Sequence, residues 1–220
     1  MAATLFTHAT IITMDASRRV LEDGVLRIEA DRIIAIGSTA DLLPQPGEKV
    51  IDCKGNLLIP GLIDAHGHAG HCLIRGLAAD TSPQWMKIVT PTYWHYTTRE
   101  FWAADGMISG LERLRAGVTT GVSIISSMPR SDDPEFAIRH AAAYEAIGLR
   151  EVICTGPAGL PWPRESTRWE TGRPVRHSLT LDDILEGAEA TIQALNGTAD
   201  GRISVYLTPF TMAPLTTITP

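Results

Sequence analysis

Beyond Pro60-Gly61 the sequence settles into one alternation: short apolar runs at Leu62 to Ala65, Val118 to Ile125, Arg150 to Cys154 and Ile203 to Leu207, separated by stretches of helical period. Runs of this length suit buried strands, and strands separated by helices point to parallel pairing, because each helical crossover returns the chain to the same end of the sheet. The helices have legible ends. Thr97 with Glu100 predicts a capping box ahead of Phe101, Ala104, Ile108, Leu111 and Leu114, with Gly117 as the stop. Asp133 and Pro134 open a second helix that Gly148 closes, and Thr180 with Asp183 opens a third that ends at Asn196-Gly197. The pattern is that of four β/α units.

The first 57 residues read differently. Runs at Thr10 to Thr13, Val25 to Ile28, Ile33 to Ile36 and Val50 to Asp52, broken by Glu22-Asp23-Gly24 and Ala30-Asp31, predict a small β meander. Two domains are therefore expected, 1–57 and 58–220. One connection, Gly156 to Ser178, shows neither period and carries Trp162, Trp169, Arg164, Arg168, Arg173 and Arg176. A connection this long is either functional or a solvated surface loop.

A formal charge of −6 leaves no global positive field to hold a nucleic acid or an anionic membrane, and no apolar run is long enough to cross a bilayer. Cys53, Cys72 and Cys154 are odd in number and lack C-x-x-C spacing, which fits reduced thiols in a cytoplasmic protein.

Chemistry points to Leu58 to Asp80. Residues at i and i+2 of a strand share a face, so His66 and His68 can present two imidazoles to one ion, zinc or ferrous iron. They also end an apolar strand, which is where a β/α barrel places its functional groups. His8, His95, His140 and His177 lie where no barrel strand ends.

At these residues the chain resembles the amidohydrolase superfamily, whose first barrel strand reads PG-x-[IV]-[DN]-x-H-x-H. The segment Pro60-Gly61-Leu62-Ile63-Asp64-Ala65-His66-Gly67-His68 matches throughout. Leu73-Ile74-Arg75-Gly76-Leu77-Ala78-Ala79-Asp80 is similar to the "LLRGLADD" continuation of the cytosine-deaminase-like and triazine-hydrolase-like branch. Leu114 to Thr120 resembles the "GVTT" start of strand two, and Ala9 to Asp15 with Arg32 to Gly37 resembles the N-terminal β segment.

The resemblance implies an α/β fold: part of a composite β-sandwich, then the first four β/α units of a TIM-type (β/α)8 barrel. The barrel is incomplete here, since a whole one needs about 250 residues. It implies a metal-dependent hydrolase of C–N bonds other than peptide bonds, an aminohydrolase (deaminase) of a nitrogen heterocycle, with His66 and His68 as metal ligands. Ile203 to Phe210 holds no lysine or carboxylate to bridge a second ion, so one divalent metal, Zn or Fe(II), is expected. In the family the third metal histidine, the proton shuttle and the base come from strands five, six and eight, which places the catalytic groups beyond Pro220. Phe210 stands where many relatives have histidine.

His71 and Trp85 are the substrate-facing candidates, although His71 also suits a plain loop and Trp85, like Trp94, a core anchor. The expected partners are a small-molecule substrate and either further copies of the chain, as a homo-oligomer, or the missing C-terminal half, with no nucleic acid and no membrane. A half-barrel would leave two sheet edges open and uncover Ile63, Val122, Ile124, Ile153 and Val205. Two other readings remain open: a cyclic amidase or imidazolone-type hydrolase with the same ligands, and an inactive truncated product or assembly partner.

Overall fold

The computed structural model describes residues 3–78, 84–159, 161–170 and 172–210. It divides into two compact units between Gly61 and Leu62.

The first unit is a single mixed sheet of β1 (Thr4–Ile12), β2 (Val20–Glu29), β3 (Arg32–Ser38), β4 (Lys49–Asp52) and β5 (Leu57–Leu58). The chain meanders only through β3; β4 and β5 return to pair parallel with β1, giving the order β3-β2-β1-β4 with β5 also on β1. Alternation sets the buried face: Leu5, Thr7, Ala9 and Ile11 are buried along β1. Ala9, Ile11 and Leu26 form its core with Phe6, Ile36 and Leu58 packed against them.

In the second unit β6 (Leu62–Asp64), β7 (His68–Ala69), β8 (Val118–Ile125), β9 (Arg150–Thr155) and β12 (Ile203–Leu207) make a parallel sheet in the order β12-β9-β8-β6, with β7 also on β8. Helices α1 (Trp85–Tyr96), α2 (Arg99–Arg115), α3 (Pro134–Ile147) and α4 (Leu181–Leu195) fill the crossovers. The α/β architecture with parallel pairing is as expected.

Helix ends follow local chemistry. Asp133 accepts from the Glu135 amide with Pro134 in the first turn, and Gly148 closes α3 at φ +89°. Thr180 and Asp183 form a reciprocal capping box on α4, which buries Ile184, Ala188, Thr191 and Leu195 at helical spacing. The cap of α2 is Thr98, which accepts from the Phe101 amide, and not Thr97. Thr97 instead ends α1, its hydroxyl donating to the Tyr93 carbonyl at 2.8 Å.

Two elements lacked a readable period. Helix α1 is interrupted in composition by Pro91 and buries only Val89, Tyr93 and Trp94. The connection expected to be irregular forms an antiparallel hairpin of β10 (Arg164–Glu170) and β11 (Arg173–Leu179), in register from Arg164↔Leu179 to Glu170↔Arg173. Its arginines fall on both faces, so no apolar alternation marks it.

The helix-packed face of the sheet carries Ile125, Ile153, Ile203 and Val205, in one cluster with Trp102, Phe136, Tyr144 and Ile184. Ile153 and Val205 therefore do not share a face with Ile63, Val122 and Ile124. The register pairs Val122 with Val152 and Ser123 with Ile153, which puts Ile153 out of phase with Val122 and Ile124. Val205 pairs with Ile153 and follows it.

Candidate metal centre

The strand that begins at Leu62 does not run unbroken to the histidines. Its register on β8 slips between Leu62 and Ile63, the chain leaves the ladder after Asp64, and it rejoins β8 at His68. The Gly67 carbonyl accepts from the Ile124 amide at 2.9 Å as the ladder resumes. His66 and His68 are thus not successive same-face residues of one strand. The break brings them together: their ring centroids are 5.1 Å apart with planes at 79°.

His68 has a defined tautomer. Its Nδ1 lies 2.9 Å from the carbonyl oxygen of Ser126, and since a carbonyl only accepts, Nδ1 carries the proton and Nε2 keeps its lone pair. Metal-binding histidines are oriented in this way by a hydrogen bond from the ring nitrogen that does not bind. The acceptor is itself constrained: Ser126, just past β8, is buried and held at φ +83°. That left-handed conformation costs a non-glycine residue about 1–3 kcal/mol.

Around the pair stands a ring cluster. His71 stacks on His68 at 5.3 Å and on Tyr93 at 5.8 Å, and meets Trp85 edge-on at 5.2 Å. Burial, with the neighbouring His68, pushes His71 down from 6.5 to about 4, so it is uncharged at neutral pH. Its Nε2 lies 3.1 Å from the Ser127 hydroxyl. All four predicted site residues, His66, His68, His71 and Trp85, lie in this one cluster. Tyr93 and Ser127 belong to it as well, and nothing in their local sequence marks them. Trp94 does not: it is a core residue beneath the guanidinium groups of Arg130, 5.1 Å away, and Arg164, 5.0 Å away.

Two ionic side chains of α2 hold the loop from behind. The buried Asp105 accepts from the amides of Gly70 at 2.6 Å, Cys72 at 3.0 Å and Leu73 at 3.3 Å. Gly70 is required there, with φ at +94° and room for a Cβ only 2.5 Å from the Tyr93 ring. Arg113, eight residues further along the helix, reaches Asp64 at 2.8 Å. Sequence reading passed over both. Their signal was a charge on the inward side of an amphipathic helix, since Asp105 falls one turn from the buried Trp102.

The remaining histidines lie elsewhere. His8 bonds Asp23 at 3.0 Å, His95 bonds Thr167 at 3.2 Å, His140 is buried against Glu151 at 2.9 Å, and His177 lies on β11. Among the described residues no group of three or more His, Cys, Asp or Glu side chains is arranged to hold a metal ion. The donors present are two imidazoles, one with its tautomer fixed by the main chain. They fit zinc or ferrous iron as part of a ligand set. Ala79 and Asp80, which end the motif after the histidines, lie outside the described residues.

Comparison with known proteins places the fold and the family. The model of the amidohydrolase family matches residues 57–217. A 5'-deoxyadenosine deaminase of Methanosarcina barkeri is 28% identical over 95% of this chain and 42% of its own length. A 5-methylthioadenosine/S-adenosylhomocysteine deaminase of Pelotomaculum thermopropionicum is 29% identical over 95% of this chain and 43% of its own length. Among solved structures, an atrazine chlorohydrolase of Arthrobacter aurescens complexed with zinc and atraton superposes with a TM-score of 0.76 at 21% identity, covering 94% of this chain and 46% of that one. An adenosine deaminase of Xanthomonas campestris with bound zinc gives 0.71 at 22% identity, covering 94% of this chain and 43% of that one. The chain thus spans less than half the length of these relatives, and no described helix is long and apolar enough to cross a membrane.

Proposed function

The chain belongs to the amidohydrolase family, and from that premise we propose that it carries the metal-binding first part of a hydrolase that removes an amino group from a nitrogen heterocycle. One observation carries the reading: His68, its Nδ1 tied to the Ser126 carbonyl, offers Nε2 beside His66, 5.1 Å away between ring centres. The substrate class we favour is an adenine nucleoside, in keeping with relatives named as deaminases of 5'-deoxyadenosine and 5-methylthioadenosine. Water is consumed, the exocyclic amine leaves as ammonia, and the ring keeps a carbonyl.

In this proposal His66 and His68 hold one divalent ion, zinc or Fe(II). When bound, such an ion supplies the nucleophile by lowering the pKa of a coordinated water toward neutrality. His71, uncharged, offers a ring nitrogen to the substrate, and Trp85 offers an aromatic face against which a heterocycle packs. Residues 1–57 form the β part, and residues 58–220 supply the first four β/α units of a barrel. The remaining ligands and the general base lie outside residues 1–220, in continuing chain or in another subunit.

The experiment is equilibrium dialysis of the 220-residue chain against zinc, beside an assay of ammonia release from an adenine nucleoside. We expect zinc uptake that the His66→Ala/His68→Ala variant loses, with no turnover by these residues alone. Wild-type zinc content in a folded double variant would remove the ligand assignment. Turnover by residues 1–220 that His66→Ala abolishes would show that the base lies within them.

A further inference from the structure

We propose that Arg113 is a positioning residue for the metal centre, its guanidinium filling the space beneath the His66-Gly67-His68 break and fixing where the two imidazoles stand; this rests on the metal-site reading above. The side chain is 13% exposed, and each of its three nitrogens donates to an acceptor. Nε donates to Asp64 Oδ2 at 2.9 Å, with Nη2 in ion-pair contact with the same oxygen at 2.8 Å, and Nη2 donates to the Val122 carbonyl at 2.8 Å. Nη1 donates to the Ser123 hydroxyl at 2.9 Å and the Tyr144 hydroxyl at 2.6 Å. Helix α2 thereby reaches through to both sides of the break, the end of β6 at Asp64 and the middle of β8 at Val122.

The link to the ligands is short. Asp64 uses its other oxygen, Oδ1, to accept from the His66 amide at 3.4 Å. His68 follows Gly67, whose carbonyl rejoins the ladder two residues past Val122, at Ile124. Where a strand leaves its ladder the backbone loses the bonds that would set its path, and here the arginine supplies replacements.

Two glycines leave room for the guanidinium. A Cβ on Gly67 would lie 2.5 Å from Arg113 Nη2 and 2.8 Å from the Val122 oxygen. A Cβ on Gly121 would lie 2.5 Å from Nη1, 2.7 Å from Cζ and 3.0 Å from Nε of Arg113, its three nearest atoms. Neither glycine has a positive φ, so each is needed for space and not for rotation. The glycine between the two histidines is thus explained by the arginine below it. Lysine would not substitute, since a tetrahedral ammonium offers three donors in place of a planar fork of five.

The test measures zinc affinity of the 220-residue chain by competition with a chromogenic chelator, with imidazole 15N shifts of His66 and His68 as a second readout and circular dichroism as the control for folding. Loss of an orienting partner weakens metal binding by about 10–100-fold. We expect that fall, with altered His66 and His68 shifts, in Arg113→Lys and also in Gly121→Ala, which keeps the arginine but displaces it. Adding Gly121→Ala to Arg113→Lys should cause no further loss. Wild-type affinity and shifts in folded Arg113→Lys, or losses that multiply in the double variant, would overturn the proposal. If Arg113→Lys does not fold, Gly121→Ala decides alone by the same criterion, and if neither folds, the isosteric Asp64→Asn does. A wild-type chain that takes up no zinc through His66 and His68 counts against the metal-site reading itself, whereas zinc binding indifferent to these substitutions counts only against Arg113.

Discussion

His68 donates from Nδ1 to the Ser126 carbonyl across 2.9 Å, joining the end of the first parallel strand to the end of the second through a side chain. The ring is therefore oriented by the protein alone, with its other nitrogen exposed to whatever binds beside His66. Long-range 1H–15N correlation should find the Nδ1-protonated tautomer in metal-free protein, and added zinc should move Nε2 of His68 and leave Nδ1 protonated. An Nε2-protonated ring would contradict the assigned contact.

Asp105 gathers three amides of the loop that follows the histidines. Those of Cys72 and Leu73 are partly exposed and can turn to water, but Gly70 is buried. Asp105→Ala should thus cost what one buried unsatisfied donor costs, about 1–3 kcal/mol. Urea unfolding of the variant checks the magnitude, and an unchanged midpoint would mean that the loop repairs itself.

The buried pair of His140 and Glu151 makes stability depend on pH. Burial alone would lower the His140 pKa, but the Glu151 carboxylate 2.9 Å away, helped by the charge of Asp105 and opposed by Arg113, raises it above 6.5. The folded state therefore holds this proton more tightly than the unfolded chain does. Its stabilisation is fully present below pH 6.5 and is lost as pH rises through the raised value. Denaturant midpoints measured from pH 6 upward should fall in wild type and flatten in His140→Gln, which keeps a donor toward Glu151 without titrating. His140→Ala, leaving Glu151 buried beside Arg113 alone, should cost about 3–5 kcal/mol. A slope unchanged in His140→Gln would locate the proton elsewhere.

What was legible in the sequence were features written within a few residues of one another. The caps at Asp133 and Thr180 declare themselves through side chains that bond their own helix, whereas the histidines are marked by their place after an apolar run and not by the strand spacing, which the chain does not keep. What was not legible came from contacts distant in the chain. The break between Asp64 and His68 depends on an arginine 49 residues after Asp64, and the Ser126 acceptor lies 58 residues beyond His68. The β10–β11 hairpin was hidden because its arginines occupy both faces. The phase of Ile153 and Val205 was hidden because strands apolar on both faces carry no alternation from which to read it.

The same phase bears on association of the 220-residue chain. Parallel sheets are ordinarily covered on both faces, yet on the face opposite the helices Ile63 is 70% exposed and Tyr206 62% exposed. Half-buried Val122, Ile124 and Val152 lie between them. Apolar surface left wet forgoes about 25 cal/mol per Å², and β12, at one end of the strand order, also offers backbone groups to a partner strand. Residues 1–220 should therefore self-associate, face to face or edge to edge. Sedimentation velocity across a concentration series should show a rising weight-average mass, and Ile63→Lys/Tyr206→Lys should return the chain toward monomer by placing charge on the face. If the edge is the contact, that variant will still associate, and amide exchange along Ile203–Leu207 will slow with concentration. A monomer at every concentration would mean that this face is stable in water as it stands.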